Sequence, residues 1–313
     1  MPGLLKGRCG CPALQQRVRL ATVEIDGFYS YLRKVMSSPE KKARGWEIFD
    51  ELIGAVPSGL CVDDCVISLH WTLIRSRAVG MALTPFHGVP NHGPKGTSIV
   101  SGIGERITGM PLHKLAEFVK SWNPYEATLG LAAVNAALNS PEQFMSMSGH
   151  PASDQAQISA FEYYADMLRD KKVAVVGRFP DLQLLNEVCR LSVLERVPGP
   201  DDLPDAACEY ILPDQDYVFI TASALINKTL PRLLEISRNA HVFLVGPSTP
   251  FFPGLFKYGI DTLAGTVVME PESVQRAVQE GAARTVFDHG AQMVEVSKKE
   301  WQQNQSYRGV LPE

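Results

Sequence analysis

DYVFITASALINKTLPRLLEISRNAHVFLVGPSTP, residues 216–250, decides the fold. Residues 217–221 and 242–245 are short continuous apolar runs, rich in Val, Ile and Phe, and too short for helices. Between them, residues 223–238 carry apolar residues at helical spacing. Ser223 is placed to cap that helix, and Pro231 sits at an early-helix or kink position. Strand, helix, strand, with no polar alternation in the strands, means a parallel pair buried on both faces. The same grammar continues in both directions. KKVAVVGRFP supplies a strand at 172–176 ended by Gly177, and RLSVLERVP supplies another at 191–195. GTVVME reads as a fifth strand, followed by a helix over 271–279. Helices are expected over 153–169, with Ser153 as N-cap, and over 181–189.

The first half has a different pattern. Amphipathic helices are expected over 18–35 and 46–56, and strand-like runs, CVISLHWTLI and AVGMAL, fall within 60–84. Residues 111–120 begin with Pro111 at a first-turn position. Residues 124–139 form a strongly apolar helix. MSMSGHPAS, small, polar and rich in breakers, marks a boundary near 146–153. The expected architecture is α/β: a smaller α+β domain over 1–150, then a Rossmann-like parallel-sheet domain over 151–313.

Bulk properties narrow the function classes. The chain has 313 residues, 45% hydrophobic and 20% charged, with net charge −4 and pI near 6.0. That balance argues against a large nucleic-acid footprint, which needs clustered Lys and Arg. No apolar run reaches membrane-span length, and the N-terminus lacks the apolar core of a signal peptide. The expectation is a cytoplasmic protein with no nucleic-acid or membrane partner; homo-oligomerisation stays open. The six cysteines include Cys9-x-Cys11 and Cys61-x₃-Cys65. Together these four could ligate a soft metal, but neither pair has zinc-knuckle spacing, and buried or idle thiols are the competing reading.

In an open parallel sheet, ligands bind beyond the carboxyl ends of the strands. That rule selects residues. After 217–221 come Thr221 and Ser223, then Asn227 and Thr229 in the next helix's first turns. Their hydroxyls and free N–H groups suit an anion, or serve as N-caps. After 242–245 comes GPSTP: Gly246 opens the loop, Pro247 and Pro250 stiffen it, and Ser248 and Thr249 bring hydroxyls. A rigid loop loses less entropy on binding. Gly177 ends the first strand of the parallel set without the remaining glycines of a dinucleotide fingerprint. Glu195 ends the second strand, near the ~20-residue spacing at which an acid holds a ribose. A solvated strand-end glutamate is the alternative. In the first half, glycines crowd around Glu105 and Arg106 in SGIGER, either for close approach to a ligand or for a turn. Asn135, inside LGLAAVNAAL, needs a polar partner: a backbone group or a ligand in a cleft. Asn123 and Glu126 lie near that helix's start.

The motifs SGIGER, NPYEATLGLAAVNA, VAVVGRFP, ITASALINKTL and GPSTP make the chain resemble a prokaryotic family described as putative heavy-metal chelation proteins. The resemblance implies an enolase N-terminal-like domain joined to a Rossmann-like domain, with the site at their junction. It implies a metal-homeostasis protein binding a metal, or an anionic metal-chelating small molecule, in an interdomain cleft. Glu105, Asn123 and Asn135 would line the cleft from one side, and Thr221, Asn227, Thr229, Gly246, Ser248 and Thr249 from the other. Gly177 and Glu195 would hold a cofactor in the alternative reading, an enzyme using an NAD- or S-adenosylmethionine-type ligand. A non-enzymatic interaction protein is the third reading. The residues themselves identify no nucleophile, general base or cofactor; a transition metal ion is the one suggested by the resemblance.

Overall fold

The computed structural model describes residues 45–85, 106–155, 159–180 and 182–308. The chain divides into two compact units, Met1–Trp46 and Glu47–Glu313, and both sheets and every described helix belong to the second. The helix expected over 18–35, Cys9, Cys11 and Glu105 lie outside the described residues.

Strands β1 (Asp64–Ile67), β2 (Trp71–Arg75) and β3 (Val79–Leu83) form an antiparallel meander. Strands β4 (Lys172–Val176), β5 (Arg190–Glu195), β6 (Leu203–Pro204), β7 (Tyr217–Thr221), β8 (His241–Val245), β9 (Thr262–Val268) and β10 (Ala291–Ser297) form the large sheet. Its order is β10-β9-β8-β7-β4-β5-β6. β4 to β9 are mutually parallel; β10 runs antiparallel to β9. Numbered from β4, the parallel strands follow the 3-2-1-4-5-6 order of dinucleotide-binding sheets. The apolar runs behave as their composition requires: Val218 to Ile220, Val242 to Val245 and all of β9 are buried. Phe219 and Phe243 stack across the β7–β8 register at 4.3 Å between ring centroids.

Helix α1 (Glu47–Gly54) buries Ile48, Phe49 and Leu52. Helix α2 (Pro124–Leu138), the longest described, is buried along almost its whole length. It packs on β2 and β3 so closely that a Cβ at Gly80 would stand 2.0 Å from the Ala132 carbonyl oxygen. Only glycine permits that approach. Among the described residues, no helix is long and apolar enough to cross a membrane.

Several expected helices are shorter, for identifiable reasons. The one expected over 223–238 splits into α3 (Ser223–Ile226) and α4 (Leu230–Ile236). Pro231 has no N–H to donate to residue 227. Asn227 Oδ1 instead accepts from the Thr229 N–H at 3.1 Å and its hydroxyl at 2.7 Å, and Lys228 takes φ 67°. Within 153–169 only Ala160–Tyr163 is α-helical among the described residues, capped by Ser159 rather than Ser153. Gln155 is engaged elsewhere: its amide donates to the Glu295 carbonyl at 2.7 Å and accepts the Glu295 N–H at 2.8 Å, covering the edge of β10. The helix expected over 181–189 is limited to Gln183–Asn186. Pro111 is the N-cap of Leu112–Ala116, not its first residue, and a 3₁₀ turn, Glu117–Lys120, follows. β6, β10 and the terminal helix Lys298–Arg308 are additions that the sequence pattern does not announce.

Candidate functional site

β4 and β7 are adjacent, but the chain leaves β4 toward β5 on one side and β7 toward β8 on the other. Their following loops therefore diverge, and a crevice opens at this switch point. A cavity of about 460 Å³ lies there. Arg178, Phe179 and Pro180 enter it from the loop after β4, Thr221 to Ser223 from the end of β7, and Val245 to Ser248 from the end of β8. Trp71 and Leu83 come from the small sheet, and Arg284 and Phe287 from the 3₁₀ turn Arg284–His289. The first two loops meet because Gly177 takes φ 99°; a Cβ there would lie 2.8 Å from Thr221 Cγ2.

The polar side chains of the lining are donors. Ser248 Oγ accepts the Leu83 N–H at 2.9 Å, Ser159 Oγ the Glu162 N–H at 3.2 Å, and Thr221 Oγ1 the Ser223 N–H at 3.4 Å. Each hydroxyl thus accepts one backbone N–H and keeps its proton to give. Ser223 adds a fourth hydroxyl, and Arg178 and Arg284 add two guanidinium groups. Among the described residues, no Asp, Glu, His or Cys lines the cavity.

GPSTP is held from α2. Asn135 Nδ2 donates to the Met81 carbonyl at 2.8 Å and to the Ser248 carbonyl at 3.0 Å. Asn139, just beyond the helix, donates to Thr249 O at 2.9 Å and Thr266 O at 3.2 Å, and accepts the Phe251 N–H at 2.9 Å. All are buried, so these bonds form where water does not compete. Thr249 is fully buried and turns its hydroxyl to the Leu244 carbonyl at 3.5 Å; Phe251 packs edge-on against Phe144.

Of the residues singled out in the sequence, Thr221, Gly246 and Ser248 come together in the cavity, with Gly177 behind Thr221. Asn135 and Thr249 stand behind the loop. Asn123 caps α2, accepting the Tyr125 N–H at 3.0 Å, and Asn227 and Thr229 bond to each other; none of these three lines the cavity. Glu195 Oε2 accepts the Arg178 N–H at 2.9 Å and Oε1 the Arg196 N–H at 2.7 Å, so this side chain braces the loop after β4. Arg178 Nη1 also donates to the Asp202 carboxylate at 2.6 Å. Sequence reasoning misses Trp71, Arg178, Phe179, Arg284 and Phe287. Arg178 directly follows Gly177 and is within reach of the strand-end rule; the other contributions arrive from distant segments.

Cys61 is exposed, whereas burial and the neighbouring Asp64 push the Cys65 thiol up to about 11, so Cys65 is a thiol at neutral pH. Among the described residues no group of three or more His, Cys, Asp or Glu side chains could hold a metal ion. A smaller cavity, about 280 Å³, lies beside Glu295. Burial raises that carboxyl to about 7, and the Tyr164 hydroxyl donates to it at 2.8 Å.

Two family models, DUF4213 over residues 49–138 and DUF364 over 159–297, match the chain, both described as "Putative heavy-metal chelation". A relative from Methanocaldococcus jannaschii, an uncharacterized protein, is 31% identical over 213 residues, covering 64% of this chain and 75% of its own. A crystal structure of a DUF364-family protein of unknown function from Desulfitobacterium hafniense DCB-2 is 37% identical, with TM-score 0.67, covering 81% of this chain and 98% of that one. Another, from Pyrococcus horikoshii, is 22% identical with TM-score 0.63, covers 80% and 98%, and agrees in fold. A seven-stranded, mostly parallel sheet with a small antiparallel companion is thus shared with solved structures matched over almost their whole length, and the chain belongs to the DUF364 family.

Proposed function

We propose that this is a metal-homeostasis protein that takes up its metal as an anionic chelate, or takes up the chelator itself, in the cavity at the β4–β7 switch point. One observation carries the reading. The polar side chains described in the lining are all donors, four hydroxyls and two guanidiniums, with no carboxylate, imidazole or thiolate among them. Such a set fits carboxylate or phosphate oxygens. It does not fit a bare transition metal ion, which needs several basic ligands. The family description supports a role connected with metals. Domains 1–150 and 151–313 then supply different walls of one site.

The test is calorimetric titration with citrate, with its Co²⁺ complex and with CoCl₂. Citrate or the complex should bind and CoCl₂ should not. In Arg284→Ala affinity should fall about 10- to 100-fold, the usual worth of a charge-assisted hydrogen bond. One-to-one binding of CoCl₂ with no response to either citrate form would overturn the reading. A nucleotide-like ligand is the second reading, favoured by the 3-2-1-4-5-6 order and by Glu195 at the end of β5, bonded to the loop that follows Gly177. Titration with NAD and S-adenosylmethionine in the same series, compared with Glu195→Gln, tests it.

A further inference from the structure

We infer that Lys228 is a site of reversible covalent capture, where a small aldehyde joins the chain as an imine. The site is separate from the cavity, whose lining reaches Ser223 but not Lys228. Lys228 lies between α3 and α4, in the INKT stretch where Asn227 and Thr229 bond to each other. Its backbone takes φ 67°. Among the described residues one other non-glycine residue, Asp170, has positive φ. Aspartate enters this region readily because its short side chain bonds locally; a lysine there is strained, and glycine would be the relaxed choice. Strain of this kind collects at functional sites, where the surrounding structure holds a group in a set position.

The side chain turns back on the preceding helix, and Nζ donates to the Ile226 carbonyl at 2.6 Å. Ile226 is buried and Lys228 is partly buried. Among the described residues the amine has no ion-pair partner. α3 packs against α2 and against the 3₁₀ turn Glu117–Lys120, whose charged groups are engaged elsewhere. Glu126 accepts from the Ser121 hydroxyl, Glu117 pairs with Lys114, and Lys120 pairs with Asp50. On α4, Arg232 pairs with Glu209 and Glu235. A cation with one neutral acceptor and no counter-charge has little to offset its desolvation. Burial, with no contribution from a neighbouring charge, lowers this amine from 10.5 to about 8. At pH 7 the neutral fraction is then about 300-fold larger than in an ordinary lysine.

A neutral, partly desolvated amine is the nucleophile of imine chemistry. Its lone pair attacks the aldehyde carbon and the C–N bond forms. The carbonyl oxygen leaves as water with the two amine protons, and the bond to Ile226 is given up. No co-reactant is needed, and hydrolysis reverses the step. Partial burial limits the partner to a small aldehyde.

Acetaldehyde with sodium cyanoborohydride, which traps an imine as a stable N-ethyl amine, tests this on the folded chain at pH 7, with peptide mass spectrometry reading every lysine. Lys228 should be modified at least about tenfold faster than the median lysine, the gain in neutral amine being partly offset by burial. The advantage should vanish in concentrated urea. Pyridoxal phosphate, a bulkier aldehyde, should show no preference for Lys228. A rate less than about tenfold above the median would leave Lys228 as a charged helix cap and overturn the inference. A preference that survives in urea would overturn it too, because the folded geometry would not be its cause. An equal preference shown by pyridoxal phosphate would overturn the restriction to small aldehydes.

Discussion

Asn139→Leu tests whether the loop that shapes the cavity is set by a hydrogen-bond clamp rather than by its own prolines. Leucine is close to asparagine in shape, so the change removes polarity more than it opens space. Asn139 is 1% exposed, and its three bonds go to backbone groups of Thr249, Thr266 and Phe251. Phe251 is itself fully buried, so its N–H has no access to water once Oδ1 is gone. A buried backbone group left without its partner costs about 1–3 kcal/mol. The Phe251 N–H and the Thr249 carbonyl are the two that depend most on Asn139, and the expected loss is about 4 kcal/mol. For a chain of this size that corresponds to a melting temperature lower by about 6 °C. Urea unfolding followed by tryptophan fluorescence, with calorimetry in parallel, reads it directly. Chelate affinity should fall with stability, because the clamp holds the segment that carries Ser248. Asn123→Ala, which deletes a helix cap, should cost about 1 kcal/mol and leave ligand affinity intact. A loss below about 1 kcal/mol in Asn139→Leu would refute the clamp.

Two further outcomes are expected from the geometry. Gly177→Ala should destabilise the protein by about 2 kcal/mol, because alanine is strained at φ 99° and its Cβ meets Thr221 at 2.8 Å; an unchanged urea midpoint would contradict the close approach. Burial raises Glu295 from its ordinary 4.5 to about 7, so between those values the folded state binds more protons than the unfolded one. That contribution is present below pH 4.5 and is lost as pH rises through 7; Glu295→Gln should flatten this decline, measured as unfolding free energy at pH 5 and pH 8.

Where one physical effect dominates, the residues are readable in one dimension. Continuous apolar residues over four or five positions favour a strand buried on both faces, and β4, β7 and β8 lie close to where that pattern puts them; β5, interrupted by Ser192, is placed as expected but is mostly half-buried. The strand-end rule then leads to Thr221, Gly246 and Ser248 without knowledge of strand order. Local pattern fails where a distant partner outweighs it. Residues 153–169 have helical spacing, but Gln155 bonds to Glu295 at the edge of β10. Asn227 to Thr229 interrupt a helical pattern because a proline and a side-chain turn act together. β10, which alternates buried and half-buried residues along much of its length, escapes sequence reading because a short mixed run carries little signal outside its sheet.

What the sequence determined by itself was the class of fold and one wall of the cavity, since both follow from patterns within a few consecutive residues: apolar runs, helical spacing and a stiff hydroxyl-bearing loop at a strand end. Tertiary structure alone decided which polar groups face the cavity and which only hold the scaffold. Ser248 and Thr249 are neighbours with the same chemistry, yet one lines the cavity while the other turns inward to the Leu244 carbonyl. Asn135 and Asn139 are spent on backbone groups more than a hundred residues away. Arg178 and Arg284 reach one cavity from segments just as widely separated. The physical reason is that a hydroxyl or an amide bonds whatever the fold brings within about 3 Å, and that distance is set by the packing of α2 and β3 against the large sheet, which no local stretch of the chain encodes.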